Sequence, residues 1–110
     1  MASAQWILQQ APANHRLVAQ LLSAGLDQGE SEAIVLASEL SASLLILDES
    51  HARVVARQLK LSISGTLGIL IAAKNAGIVA RIKPLLTQLS ASGFYITPQI
   101  IAHALTLAGE

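Results

Sequence analysis

The sequence of 110 residues contains no cysteine and few charged residues. Without cysteine, neither a disulfide framework nor a thiolate metal site can form, and a reducing compartment is permitted. Only 13% of residues are charged, about half of the ~25% that is usual in globular proteins, whereas 53% are apolar. This composition excludes disorder as the main state and predicts one folded domain over residues 1–110.

Targeting and membrane-spanning segments are also missing. The N-terminus has no basic region before an apolar run, so a secretory signal is not expected. The longest uncharged stretch, residues 84–109, contains polar residues such as Gln88 and Ser92 and would make a poor membrane span. We therefore expect a cytoplasmic protein with no membrane partner, and an apolar surface of this extent is typical of a homo-oligomer.

Seven basic residues balance seven acidic ones, so the net charge is zero. A neutral chain lacks the long-range attraction for phosphates that a basic domain has. The charges are nevertheless segregated along the sequence. Six acids lie within residues 27–49: Asp27, Glu30, Glu32, Glu39, Asp48 and Glu49. Six bases follow within residues 53–83: Arg53, Arg57, Lys60, Lys74, Arg81 and Lys83.

The apolar pattern predicts an α/β fold with a parallel sheet. Residues 43–47 (SLLIL) are typical of a strand buried on both faces, residues 61–65 (LSISG) alternate as a second strand, and residues 5–9 (QWILQ) predict a short edge strand. Helical patterns separate these segments, which favours right-handed parallel crossovers. We expect an α/β core over 26–79 and a C-terminal helical hairpin over 80–110.

Helix starts are marked by residues whose side chains accept hydrogen bonds from the first turn. Asn14 is a candidate cap, and Asp27 with Glu30 resembles a capping box. Ser50, Thr66 and Thr97 are the expected caps of the later helices. A sheet of two or three strands leaves its edges open, so the chain is either part of a larger fold or completes its sheet with a partner.

Enzyme signatures such as a P-loop, GxGxxG, HExxH and GxSxG are absent from the sequence. Asp48 stands at the carboxyl end of a predicted strand, where open α/β sheets bind ligands, and a carboxylate there can hold Mg²⁺. The equally weighted alternative is that Asp48 or Glu49 caps the next helix or lies at its positive end. Glu32 is either a second metal ligand or an ordinary solvated carboxylate, and Arg53 and Arg57 either contact phosphates or line a solvated helix face.

Three segments together resemble a known family. They are GESEAIVLASELSASLLILDE at 29–49, RVVARQLKLSISGTLGILIAAKNAGIV at 53–79 and KPLLTQLSASGFYIT at 83–97. They are similar to an uncharacterised prokaryotic branch of PIN-like proteins, related to the toxin ribonucleases of toxin and antitoxin pairs. The resemblance implies a three-layer fold, in which a parallel sheet is flanked by helices and carboxylates cluster at one edge to bind Mg²⁺ or Mn²⁺ for phosphodiester hydrolysis.

By position, the resemblance makes Glu32 and Asp48 the catalytic and metal-binding acids, with Glu30 as a third candidate ligand. Arg53 and Arg57 become the candidate nucleic-acid contacts, and RNA and an antitoxin become candidate partners. PIN-like proteins begin with a strand that ends in Asp, and this chain has no acid before Asp27. The resemblance thus implies an N-terminally truncated fold with an incomplete acidic set, weak or absent metal binding and no catalysis by one chain alone.

Overall fold

The structure is a computed structural model that describes residues 5–110. Its helices and strands are α1 (His15–Ser23), α2 (Gln28–Glu39), β1 (Leu45–Ile46), α3 (Ser50–Gln58), β2 (Ile63–Ser64), α4 (Thr66–Asn75), α5 (Lys83–Ala91) and α6 (Pro98–Leu107). The chain divides into two compact units, the first ending at Ser64 and the second spanning Gly65–Glu110. Within residues 5–110, no helix is both long and apolar enough to cross a membrane.

The first unit contains the parallel sheet. Leu45 pairs with Ile63 and Ile46 pairs with Ser64, so β1 and β2 are parallel neighbours. The connection between them along the chain is α3. This arrangement confirms the α/β class expected for the first unit. Across the residues the structure describes, the sheet has only these two strands. The number of layers in the complete protein stays a prediction.

Two expectations about strands are wrong. Residues 5–9 form no strand, since Gln5 and Trp6 lie in a turn and the next residues have no regular structure. The segment 43–47 is also not buried on both faces, because Leu45 and Leu47 pack toward the core whereas Ile46 is half exposed. A strand forms only where a neighbour supplies its hydrogen bonds, and an apolar pattern alone does not supply that neighbour.

Helix caps follow the sequence in three places and depart from it in two. Asn14 accepts a hydrogen bond from Leu17, Asp27 forms the predicted box with Glu30, and Thr97 caps α6. The cap of α3 is Glu49 rather than Ser50. The cap position of α4 is Gly65 rather than Thr66, and no side chain caps it.

Each unit has its own hydrophobic core. In the first unit, Ile34 and Val35 of α2 are fully buried together with Ala52 and Ala56 of α3. In the second unit, Ile82 and Leu86 pack with Ala104 of α6, and side chains of α4 complete the cluster. The two predicted C-terminal helices are present as α5 and α6, and their cluster includes α4 as well. The two compact units divide at Ser64. The assignment of 1–110 as a single domain, with a core over 26–79 and an extension over 80–110, stays a prediction.

A carboxylate from α2 fastens the start of α1. The carboxylate of Glu39 accepts hydrogen bonds from the N–H of Ala13 at 2.9 Å and from that of Asn14 at 2.7 Å. These donors precede the first turn of α1, where backbone N–H groups have no partner within the helix. Glu39 therefore fixes the point at which the N-terminal segment enters the fold.

Candidate metal and nucleic-acid site

The candidate acids lie at one edge of the first unit. Glu30 and Glu32 occupy the beginning of α2, and Asp48 follows β1 by two residues. The negative charge of Asp27, the N-cap of α2, acts on the carboxylate of Glu49, so the beginning of α2 lies near the residues that follow β1. This is the edge at which parallel α/β sheets bind ligands.

Glu30 is committed to the start of α2. Its Oε1 accepts a hydrogen bond from the N–H of Asp27 at 3.2 Å, and its own N–H donates to Asp27 Oδ1 at 2.7 Å. These two reciprocal bonds satisfy donors that the helix leaves open. The structure therefore supplies a structural role for Glu30, while its assignment as a third metal ligand stays a prediction.

Glu32 is half buried and bonds to its own helix. Its Oε1 accepts a hydrogen bond from Gln28 Nε2 at 2.8 Å, one turn earlier on α2. A neutral amide orients a carboxylate without neutralising its charge.

Asp48 lies beside an arginine from the next helix. Arg53 Nη2 is 3.6 Å from Asp48 Oδ1, and Arg53 Nε donates a hydrogen bond of 2.8 Å to the carbonyl oxygen of Leu47. The guanidinium therefore folds back over the carboxyl end of β1. Both side chains are partly solvated, so the pair contributes little to stability. It places a positive charge where the resemblance predicts a divalent cation.

Glu49, one of the two acids that the sequence offers as a cap for the next helix, is the N-cap of α3. It accepts a hydrogen bond from the N–H of Ala52 at 2.8 Å, and this bond is the largest cause that lowers the pKa of Glu49. The neighbouring His51 lowers it further. The signal in the sequence was the acid directly before Ser50, because a carboxylate at the N-cap stabilises the helix dipole as well as the N–H groups.

Gly25 lies next to the same end of α3. Its φ is +100°, and a Cβ at this position would be 3.3 Å from His51 Cε1. The positive φ and the close approach both require glycine here. The turn between α1 and α2 is therefore packed against the beginning of α3, close to the candidate acids.

The carboxylates of the described residues do not fit a two-metal centre. Across residues 5–110, no three His, Cys, Asp or Glu side chains form a group that could hold a metal ion. Glu30 is used by the capping box, and Asp48 faces a guanidinium. A Mg²⁺ ion usually needs one or two carboxylates together with water and substrate phosphates, whereas two metals need more acids. The roles of Glu32 and Asp48 as catalytic and metal-binding acids stay predictions.

Arg57 is the more exposed of the two candidate nucleic-acid contacts. It lies in the last turn of α3, one turn after Arg53, and its side chain is exposed. Residues four apart lie on the same helix face. Arg57 is therefore available to a phosphate on the same helix face from which Arg53 contacts Asp48.

Comparison with known proteins decides the family. A family model described as a PIN domain matches the chain over residues 1–110. The chain belongs to the PIN domain family. No curated protein and no solved structure is significantly similar to it. The resemblance carried by residues 29–97 is thereby confirmed, and the parallel β1–β2 pair with its helices fits the α/β class of this PIN domain. Membership indicates a protein of the nucleic-acid-binding, nuclease-like class.

Proposed function

We propose that this PIN domain binds single-stranded RNA and that one chain alone does not cleave it, because its acidic site is incomplete. The observation that carries the proposal is the absence, within residues 5–110, of a group of three potential metal ligands in a chain that belongs to the PIN family. The same proposal includes a three-layer PIN-like fold, a cytoplasmic location and function as a homo-oligomer.

The charges of α3 support binding of a polyanion. Arg53 partly neutralises Asp48, so it reduces the repulsion between this carboxylate and an approaching phosphate. Arg57 presents its charge to solvent on the same face of the helix. Phosphate contacts of this kind supply most of the affinity of nonspecific nucleic-acid binding, and their strength falls as salt rises.

Fluorescence anisotropy of a labelled single-stranded RNA, measured over a series of salt concentrations, tests the proposed binding. We expect binding at low salt that weakens as salt is added. Arg57→Gln removes one phosphate contact and lowers the slope of log K against log salt by about 0.7. Arg16→Gln is the matched control, because Arg16 is an exposed arginine of α1 outside the candidate site. Absence of binding at low salt, or an equal loss in Arg16→Gln, would contradict the proposal.

The alternative function is that of a Mg²⁺- or Mn²⁺-dependent endoribonuclease of the toxin type, with an antitoxin as its protein partner. It is favoured by the positions of Glu32 and Asp48, which match the acids of the family pattern and lie toward one edge of the first unit. In this alternative the missing metal ligands come from another chain. Metal-stimulated cleavage of RNA that disappears in Asp48→Asn would establish it.

A further inference from the structure

The segment before α1 exposes three consecutive large apolar side chains. Their exposed fractions are 83% for Trp6, 56% for Ile7 and 85% for Leu8. We call residues 5–10 the N-terminal arm. It is anchored where it meets the fold, because Glu39 holds the N–H groups of Ala13 and Asn14. The arm therefore leaves the fold from a fixed point, and its apolar side chains face solvent.

The sheet of the same unit has an open edge along β1. The N–H groups of Leu45 and Leu47 donate to the carbonyl oxygens of Ser62 and Ser64, at 2.9 and 2.8 Å. In a parallel ladder the residue between two bonded residues turns its own N–H and C=O to the opposite side. The main-chain groups of Ile46 therefore point away from β2, toward an edge on which the described residues place no strand.

The side chains along this edge are exposed as well. Leu44 is 45% and Ile46 is 51% exposed, on the face of β1 opposite to the core. An edge that combines unpaired main-chain groups with apolar side chains is a template for another strand. The first unit therefore carries both an uncovered acceptor edge and an uncovered apolar arm.

We propose that the N-terminal arm of one copy adds as a strand to the β1 edge of a second copy, and that the second copy returns its own arm to the first. This inference rests on the homo-oligomer included in the proposed function and names the segment that forms it. A reciprocal exchange uses the same two surfaces on both copies, so it closes as a two-fold dimer. Strand addition of this type gains main-chain hydrogen bonds and side-chain packing together.

The two surfaces are chemically matched. As a strand, the arm would place Trp6 and Leu8 on one face and Ile7 on the other. Trp6 and Leu8 could then cover Leu44 and Ile46 of the receiving copy. Residues 5–10 and residues 43–47 contain no charged side chain, so no charge has to be buried when they pair.

The exposed apolar area is sufficient for a stable dimer. Two copies contribute ten large side chains, five from each: Trp6, Ile7, Leu8, Leu44 and Ile46. Each Trp buries about 200 Å² and each aliphatic side chain on the order of 100 Å², which totals on the order of 1,200 Å². Stable interfaces begin at about this size. A second copy is the occupant that covers both exposed segments at once.

The test uses the 110-residue chain and its own fluorescence. Trp6 is the only tryptophan, so its emission reports on the arm alone. Sedimentation and emission spectra are measured from about 1 to 100 µM, a range over which mass action shifts a dimer of this strength. We expect a dimer at the upper end with blue-shifted Trp6 emission, and a red shift on dilution that follows the appearance of monomer.

Variants identify the surfaces that pair. Leu8→Asp and Ile46→Lys each place a charge in the proposed interface, and we expect the dissociation constant to rise at least about tenfold. Ile78→Asp is the matched control, because Ile78 is 77% exposed and belongs to the second unit; its dimer should be unchanged. Circular dichroism verifies that each variant is folded. Because Leu8 is highly exposed, we expect its substitution to leave the fold intact.

Four results would overturn the exchange: a monomer at about 100 µM, a larger open-ended assembly, a dimer that both interface variants leave intact, or a blue-shifted Trp6 emission from protein that sediments as a monomer. The last result would mean that the arm pairs within its own chain. RNA binding is measured separately by anisotropy, so a failure of the exchange is distinguishable from a failure of the proposed RNA binding.

Discussion

Arg53 shapes the electrostatic environment at the end of β1. Its Nε is held by the carbonyl oxygen of Leu47, and its Nη2 lies 3.6 Å from Asp48. A metal ion that approaches Asp48 has to compete with this guanidinium, whereas a phosphate is attracted by it. At the scale of single residues, Arg53 supplies the attraction for a phosphate that the proposed function requires.

The carboxylate of Glu110 connects three segments of the second unit. Its buried carboxylate accepts hydrogen bonds from the N–H groups of Ile82 and Lys83 at 2.8 and 3.2 Å and from Lys74 Nζ at 3.0 Å. The N–H of Ile82 is the largest cause that lowers the pKa of Glu110 to about 2. The charged carboxylate therefore fastens the end of the chain to the beginning of α5 and to the last turn of α4.

This depressed pKa predicts how stability depends on pH. A carboxyl whose pKa is lower in the folded state stabilises the fold above its unfolded value of 4.5, and this contribution is lost as pH falls toward 2. We expect Glu110→Gln to lower the melting temperature at pH 7, and the difference from the wild type to shrink between pH 5 and pH 2. Thermal unfolding followed by circular dichroism measures both effects.

Lys74→Met separates the two kinds of partner of Glu110. It removes the closer of the two ion pairs of Glu110, since Arg81 Nε also lies 3.6 Å from Glu110 Oε1, and it leaves the backbone donors in place. Its effect on the melting temperature should therefore be smaller than that of Glu110→Gln. A melting temperature of Glu110→Gln equal to that of the wild type at pH 7 would show that the contact does not stabilise the protein.

Among the elements, α2 has the most completely satisfied start. Asp27 accepts the N–H of Glu30 at 2.7 Å, and Glu30 accepts the N–H of Asp27. Asp27→Ala removes the cap, and we expect the free energy of unfolding to fall by about 1 kcal/mol. Asp27→Asn is the matched control, because asparagine caps a helix about as well. Urea unfolding of both variants measures the difference, and equal losses would contradict a capping role.

The helices were more predictable from the sequence than the strands because their signals are local. Asn14, Asp27 and Thr97 each cap through a bond to the residue three positions later, which can be identified in the sequence. Where two candidates are adjacent, as at Glu49 and Ser50, the backbone geometry decides. The expected strand at 5–9 did not form, since strand formation depends on a neighbour that the sequence pattern does not specify.

On the scale of the whole molecule, the zero net charge conceals how the charges are used. Acids far along the chain hold backbone N–H groups: Glu39 binds residues 25 or more positions earlier, and Glu110 binds Ile82, 28 positions earlier. Contacts across such distances have no signature in a single sequence.

Family membership could be predicted because three segments of the sequence together carried it. The grouping of the candidate acids depends on the three-dimensional fold and could not be predicted in the same way.

Incubation of a labelled single-stranded RNA with the purified protein, in Mg²⁺ or Mn²⁺ and separately in EDTA, tests the central claim most directly. Bound fraction and RNA length are measured on the same samples. The proposed function predicts that the RNA is bound and remains intact under all three conditions, and that Asp48→Asn does not reduce binding. RNA cleaved only in the presence of metal, and left intact by Asp48→Asn, would contradict it.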